Sequence, residues 1–427
     1  MNPVSIPDDN RSIQAIGSFI MSYQAYQNAF LSAMVNRIAM TIVTSKMWNN
    51  PWAVFKQGQM EFGETIEEIF VNLAKPYSFD PQAAENEVFK RHIPDVRSVF
   101  HRMNFQKVYP TTVSNDQLRQ AFIGWSGITD LIAKIVQSLY TAMNKDEYVT
   151  MKYMVARELL NGGAYAITTP AFDKTNASDI VTKIKGASDN LTFLASKYNK
   201  AQVENSSEKN EQYLFLTADQ NAIYDVNVLA MSFNMDKAEF AGHVILVDQD
   251  WAVQDWDRLD LLFEGVEGYG HFNGTELQAL QAVTGLILDR NWWMVFDNFQ
   301  EMTEQYNGAG LYWNYWLHVW KTFSVSPFAN AVVFTSQASA VNTVTVSPAS
   351  ANVSQGASLA LTATVEGTGL VDKSVAWSIS GQSQSGTVIA GNVLTVSAEE
   401  APGTVITVTA TSVGGKTGTA KITVVAA

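Results

Sequence analysis

The chain has 427 residues and no cysteine, with 47% hydrophobic and only 16% charged residues and a formal net charge of -13. That length exceeds one ordinary domain and supplies apolar side chains for at least one large core. The missing cysteines exclude disulfides and thiolate metal sites, and an acidic balance without a basic run argues against a sequence-specific nucleic-acid reader.

Residues 12–40 carry helical spacing at Ile13, Ile16 and Ile20 and again at Phe30, Met34 and Ile38, which predicts an amphipathic N-terminal arm. No basic region followed by an apolar run precedes it, so no secretory signal is expected, and no apolar segment approaches the ~18 residues that would span a bilayer. From Trp52 to Tyr109 the chain reads as an extended excursion broken by Gly58, Gly63, Pro76, Pro81 and Pro94. Its outgoing limb is acidic (Glu61, Glu64, Glu67, Glu68, Glu85, Glu87) and its return limb basic (Lys90, Arg91, Arg97, Arg102, Lys107). Opposite charges of this kind can pair within one hairpin or between neighbouring subunits. The candidates for a subunit interface are Glu61, Glu64, Glu67, Glu68, Arg91, Arg97 and Arg102.

Ser114 with Gln117 forms a capping-box signal, and the spacing of Leu118, Phe122, Trp125, Ile128, Ile132, Ile135, Leu139 and Met143 predicts a helix over Ser114–Met143. A second helix is expected over Asn144–Leu159, stopping at Asn161-Gly162-Gly163. Beyond it, strand signals at Tyr213–Leu216, Val226–Phe233, Val244–Val247 and Trp292–Phe296 alternate with helical stretches, giving an α+β or α/β domain. Leu311–Phe334 is aromatic and β-favouring, and reads as a long strand pair returning to the first core.

Near residue 340 the aromatic residues become rare and Val, Thr and Ser dominate. Thr335–Asn342 is small and polar, with a linker expected at 336–341. Thereafter Val344 and Val346, then Leu359, Leu361, Ala363 and Val365, then Val375, Trp377 and Ile379 alternate at period two, which predicts an antiparallel sandwich closed around Trp377.

Patterns that would carry chemistry are incomplete. Val413-Gly414-Gly415-Lys416-Thr417 lacks the first glycine of a phosphate loop and sits among strands, so a turn is expected there. Asp248, Asp250, Asp255 and Asp257 resemble a calcium loop, but Val253 stands where the sharp turn needs Gly and Leu259 where a bidentate Glu belongs. The five histidines show no metal-ligand spacing. No cofactor and no enzymatic activity are expected. The alternative is a glycan-active enzyme or adhesin with an accessory module, its cleft built from Trp251, Trp256, Trp292, Trp293, Trp313 and Trp316 with Asp257, Asp260, Asp289 and Asp297.

The run Gly310-Leu311-Tyr312-Trp313-Asn314-Tyr315-Trp316-Leu317-His318-Val319-Trp320, continuing through Ser324-Val325-Ser326-Pro327-Phe328-Ala329-Asn330-Ala331, resembles the major capsid proteins of phi-29-like podoviruses. Supporting segments are Thr65 to Phe70, Val226 to Ala230 with Phe233 to Met235, and Asn291 to Asn298, so the resemblance covers most of residues 28–335, with 251–285 looking like an insertion. Residues 342–425 separately resemble a group 2 bacterial immunoglobulin-like domain, through Val344-x-Val346-x-Pro348, Val375-x-Trp377-Ser378 and Ile406 to Ala410.

The resemblance implies an α+β Hong Kong 97-type capsid fold followed by an all-β sandwich. It assigns 1–50 to an N-terminal arm, 51–110 to an extended loop and peripheral-domain strand, and 111–164 to the spine helix region. An axial domain at 165–305, return strands at 306–335 and the immunoglobulin-like domain at 342–427 complete it. It further implies hexamers and pentamers of the chain, a separate scaffolding protein, a portal (connector) protein, and a phage head enclosing double-stranded DNA without sequence-specific binding. Assembly in the bacterial cytoplasm and weak contact of the immunoglobulin-like domain with cell-surface glycans are expected as well. Relatives of this fold sometimes cross-link a loop lysine to a neighbour's asparagine; Lys56 is the nearest candidate, and with no motif around it no cross-link is expected.

Overall fold

The computed structural model describes residues 25, 48–60, 65–74, 76, 94–114, 125–225 and 243–426. The N-terminal arm except residues 25 and 48–50, the Gln117 half of the capping box and the strand expected at Val226–Phe233 lie outside them.

The elements before residue 336 are β1 (Gly58–Gln59), β2 (Thr65–Val71), β3 (Val96–Arg102), β4 (Phe105–Ser114), α1 (Trp125–Leu160), β5 (Tyr165–Thr168) and α2 (Ala177–Asn190). They continue with β6 (Gln212–Thr217), α3 (Ala218–Asp225), β7 (Val244–Val247), α4 (Trp256–Phe263), α5 (Gly274–Gln281), β8 (Val283–Asp289), β9 (Trp293–Asn307), β10 (Tyr312–Val325) and β11 (Ala331–Thr335). β2 and β3 form a hairpin; a four-stranded sheet runs β1-β9-β10-β4 and a five-stranded sheet β5-β11-β8-β6-β7.

The break expected at Met143-Asn144 is absent: α1 is one helix of 36 residues. Asn144 is a mediocre helix former, but its side-chain amide donates to Trp48 O at 3.0 Å, so its polarity ties the helix to the segment before β1 instead of ending it. Leu139, Met143, Met151, Val155 and Leu159 lie on one buried stripe. The helix stops where the sequence places Gly162, which takes φ +75, while Gly163 N donates back to Glu158 O at 2.8 Å.

The strand pair expected over Leu311–Phe334 is two strands in two different sheets. β10 pairs antiparallel with β9 and β4, whereas β11 lies between β5 and β8 in the five-stranded sheet. Ser326 and Pro327 turn the chain between them. β9 also crosses the boundary expected at 305, running unbroken to Asn307.

β8 is buried at every residue because both faces of its sheet are covered. Leu286 and Leu288 face a core with Trp52, Phe55, Trp293 and the α1 stripe, and Ile287 faces the α2–α3 side with Ile180, Ile184 and Tyr224. Residues 251–285, expected as an insertion, are integrated into this body. α4 and α5 pack on α1, Trp251 is fully buried, and 283–285 open the central strand.

Nine strands from β12 (Ala340–Ser347) through β13 (Ser350–Ser354), β14 (Ser358–Ala360), β15 (Thr362–Thr368), β16 (Val375–Ser380), β17 (Val388–Ala390), β18 (Val393–Thr395), β19 (Val405–Ser412) and β20 (Thr417–Val425) make the C-terminal sandwich. Its core is aliphatic: Leu361, Leu394, Ile406, Val408, Ala410 and Ile422 are fully buried, and Trp377 only packs against its border. The phosphate-loop look-alike is the β19–β20 turn, where Gly415 takes φ +77. The expected linker shrinks to 336–339, since β12 already begins at Ala340 and Ser336 N donates to Ala282 O at 2.8 Å. The sandwich rests on the preceding body: Leu370 is buried in the body's core, and Asp372 Cα lies where a Cβ on Gly162 would fall, at 2.3 Å.

Candidate subunit-contact surface

Of the candidate interface residues, Glu61, Glu64 and Arg91 lie outside the described residues; Glu67, Glu68, Arg97 and Arg102 sit on the β2–β3 hairpin. Its antiparallel register sets Thr65 against Arg102, Glu67 against Phe100, Glu68 against Val99 and Phe70 against Arg97. No acid therefore stands directly opposite a base along the described hairpin. Directly opposed residues share a face, so the two sides differ in chemistry.

One side is held to its own body. Ser326 Oγ donates to Glu68 Oε1 at 2.7 Å, and Glu68 Oε2 lies 3.1 Å from Nε2 of buried His101, whose Nδ1 is 2.8 Å from Ser324 Oγ. Phe70 stacks on Phe328 at 5.5 Å. Arg97 donates to Ala201 O and approaches Asp95 at 3.5 Å. The other side carries Glu67 and Arg102, neither with an ion-pair partner among the described residues, beside exposed apolar side chains. Ile69 is 57% exposed, Val71 61%, Val96 50% and Phe100 56%.

Behind the hairpin the body is clamped by buried charge. Glu147 of α1 and Lys321 of β10, each 2% exposed, form an ion pair; Lys321 Nζ also donates to Asp297 Oδ1 at 2.7 Å. Lys56 reaches Asp297 Oδ2 at 2.5 Å and Glu147 Oε2 at 3.2 Å, and Asn50 Nδ2 donates to Glu147 Oε1 at 2.7 Å. Burial opposes ionisation of Asp297, but the Lys321 and Lys56 ammonium groups outweigh it and hold its pKa below the usual carboxylate range. For Lys56 burial is likewise overcome by Glu147 and Asp297, and its pKa rises. The cross-link candidate is thus committed to an intrachain cluster. Four segments far apart in sequence meet here; no spacing rule marks them, and the one hint was charged residues inside otherwise apolar runs, as at Lys321.

The glycan-cleft candidates disperse. Trp251, Trp292, Trp293 and Trp313 are buried core residues, Asp289 is buried at the end of β8 and Asp257 is exposed on α4. Asp289 accepts from Ser207 Oγ and from Asn291 N at 2.8 Å with no cation paired to it among the described residues, and burial raises its pKa. In the calcium-loop look-alike, Asp250 accepts from the amides of Ala252 and Val253 at 2.8 and 2.9 Å, and Asp255 caps α4 and pairs with Lys145 at 2.6 Å.

Residues 6–335 match the model of the Phi29-like phage major capsid protein, and residues 340–424 match the bacterial Ig-like domain (group 2). The major capsid protein of Bacillus phage B103 is 36% identical over 395 residues, covering 91% of this chain and 82% of that protein. That of Bacillus phage PZA is 34% identical over 398 residues, with the same coverage. Among solved structures, the capsid of Staphylococcus phage Andhra superposes with a TM-score of 0.54 at 17% identity, covering 68% of this chain and 85% of that one. The architecture is the Hong Kong 97-type capsid fold. The chain belongs to the Phi29-like phage major capsid protein family and carries a group 2 immunoglobulin-like domain at its C-terminal end.

Proposed function

We propose that this shell subunit closes by laying the outer side of its β2–β3 hairpin on a neighbouring copy. One observation carries the reading: a two-stranded hairpin pinned to its own body by Glu68, His101 and Phe70 leaves Ile69, Val71, Val96 and Phe100 in solvent on its free side. Exposed apolar groups clustered in this way are a feature of interaction surfaces, and Glu67 and Arg102 beside them supply polar contacts at the rim. Glu61, Glu64 and Arg91 extend the same acidic-out, basic-back asymmetry. Glu68 and Arg97 serve their own subunit.

The shell is built of hexamers and pentamers, grows on a separate scaffolding protein in the bacterial cytoplasm, and receives double-stranded DNA through a portal protein. The net charge of -13 suits a lumen that must not trap the packaged DNA. The immunoglobulin-like domain decorates the exterior and makes weak, many-copy contacts with cell-surface glycans. The chain performs no catalysis.

The test is a double substitution, Ile69→Glu with Phe100→Glu, co-expressed with scaffolding protein. The subunit should keep its melting temperature and lose closed shells by electron microscopy. Wild-type yields of shells would place the contact elsewhere.

A further inference from the structure

Between the immunoglobulin-like domain and the edge of the five-stranded sheet lies a cleft of about 650 Å³, lined on one wall by Tyr165, Ser196, Lys197 and Gln202 and on the other by Ser339 and Asp372. Its size is that of a small-molecule site, and domain boundaries are where such sites gather. Tyr165 is 41% exposed; its ring meets Tyr198 edge-on at 5.3 Å, which fixes its orientation. Lys197 Nζ lies 5.6 Å from the Tyr165 centroid and 4.7 Å from that of Tyr198. The side chains of Ser196, Gln202 and Ser339 have no hydrogen-bond partner among the described residues, and the Asp372 carboxylate accepts only from Ser374 N, at 2.8 Å.

Gln202 adds a second kind of observation. Its φ is +52, in the left-handed region that disfavours a side chain, yet the position is not glycine. Strain of this kind gathers where a side chain is needed for function.

We infer that the cleft binds a saccharide. A held, half-exposed tyrosine ring offers a face for the C–H side of a sugar. Neutral hydroxyls, an amide, the Asp372 carboxylate and the Lys197 ammonium offer acceptors and donors for its hydroxyl groups, while the second lysine of the lining, Lys200, is paired with Glu158, which leaves no cluster of free cations of the kind a phosphate would require. The inference rests on the proposed glycan contact and moves it from the immunoglobulin-like domain alone to its junction with the body. One cleft binds weakly, at about millimolar dissociation constant, and many copies on one shell multiply that.

The test is saturation-transfer NMR on the full chain, with glucose, galactose and N-acetylglucosamine and their β-linked trimers as probes. At least one should show saturated ring C–H protons. Tyr165→Ala should weaken that probe about fivefold, as for loss of one ring contact. Gln202→Gly should weaken it too while leaving the melting temperature equal or higher, because glycine relieves the left-handed backbone. That pairing separates a binding role from a merely structural one. Silence from every sugar overturns the inference, as does binding unchanged in both variants, which would keep a glycan contact but place it outside the cleft. Saturation seen only with an extended peptide, added to the open edge of β5, would also overturn it.

Discussion

The body before residue 336 and the sandwich after it solve the same problem with different chemistry. The body's core is aromatic, with Trp52, Phe55 and Phe215 each in ring contact with Trp293 at 5.3–5.9 Å, and it encloses the Glu147–Lys321 ion pair. The sandwich core is built from Val, Leu, Ile and Ala, and its one fully buried carboxylate, Glu400, meets hydroxyls and amides instead of a cation. A body stitched from segments hundreds of residues apart uses charge to specify which segments meet. The sandwich also pairs strands that are not consecutive, β12 with β15 and β13 with β20, and sets their register by alternation together with the hydroxyl and amide bonds to Glu400.

The largest effect should come from breaking the ion pair. Lys321→Met leaves Glu147 buried with weakened compensation and should lower the body's stability by roughly 3–5 kcal/mol. Urea titration followed by fluorescence reads it, because Trp377 alone lies in the sandwich and the other ten of the 11 tryptophans lie in the body. Probes confined to the sandwich, such as backbone amide exchange at β19 and β20, should not move. A loss of equal size in both regions would show that the two cores unfold as one.

Leu370→Ala comes next. Its side chain crosses from the sandwich into the body's core, so truncation should lower the body's stability by about 2 kcal/mol and move its unfolding transition further from that of the sandwich. Deleting residues 340–427 should likewise lower the body's midpoint while leaving shells that still close. Failure of that truncated chain to form shells, with a body that remains folded, would mean the sandwich belongs to the assembly contacts.

Two buried carboxylates give a smaller contrast, of opposite sign. Glu400 accepts from Ser383 N and Oγ, Gln384 N and Thr387 Oγ1, and these bonds lower its pKa to about 2. In the window between about 2 and its ordinary 4.5 the unfolded chain binds more protons, so the sandwich gains stability as pH rises through that window and loses it as pH falls. Asp289 has its pKa raised above 3.8 by burial, so just above that value the folded body binds more protons and loses stability as pH rises. Glu400→Gln should flatten the first dependence and Asp289→Asn the second. Melting curves across pH 2–6 in which either variant tracks the wild type would remove that carboxylate from the account.

What could be read from sequence follows the same division. The sandwich was legible because period two and burial coincide along β12, β16 and β19, although Trp377, the residue that stood out, borders the core that Ile406 and Val408 fill. The C-terminal end of α1 was legible at Gly162, where one residue type answers one backbone requirement, whereas the start expected at Ser114 was not, since β4 runs through Ser114. Its continuity through Asn144 was not, since the partner of that amide, Trp48 O, lies 96 residues away. Nor did the aromatic run of 311–334 reveal that β11 leaves its neighbour for another sheet, because strand propensity is silent about pairing partners.

The smallest effect on stability, and the sharpest on the hairpin, is the difference between two adjacent glutamates. Glu67 and Glu68 are alike in sequence, but period two turns them to opposite sides. Glu67→Lys changes an exposed charge that has no ion-pair partner among the described residues, so the isolated subunit should change by no more than about 0.5 kcal/mol. In the shell each exposed contact is worth only ~0.2–1 kcal/mol, and the loss shows because every copy repeats it. Glu68→Lys removes the acceptor for Ser326 Oγ and sets a cation against buried His101, so it should destabilise the subunit before assembly begins. Melting temperature and shell yield measured together separate the two: Glu67→Lys should lower yield alone, and Glu68→Lys both. If Glu67→Lys lowered the melting temperature as far as Glu68→Lys, the outer side of the hairpin would be part of its own subunit's fold, and the contact between copies would have to lie on another surface.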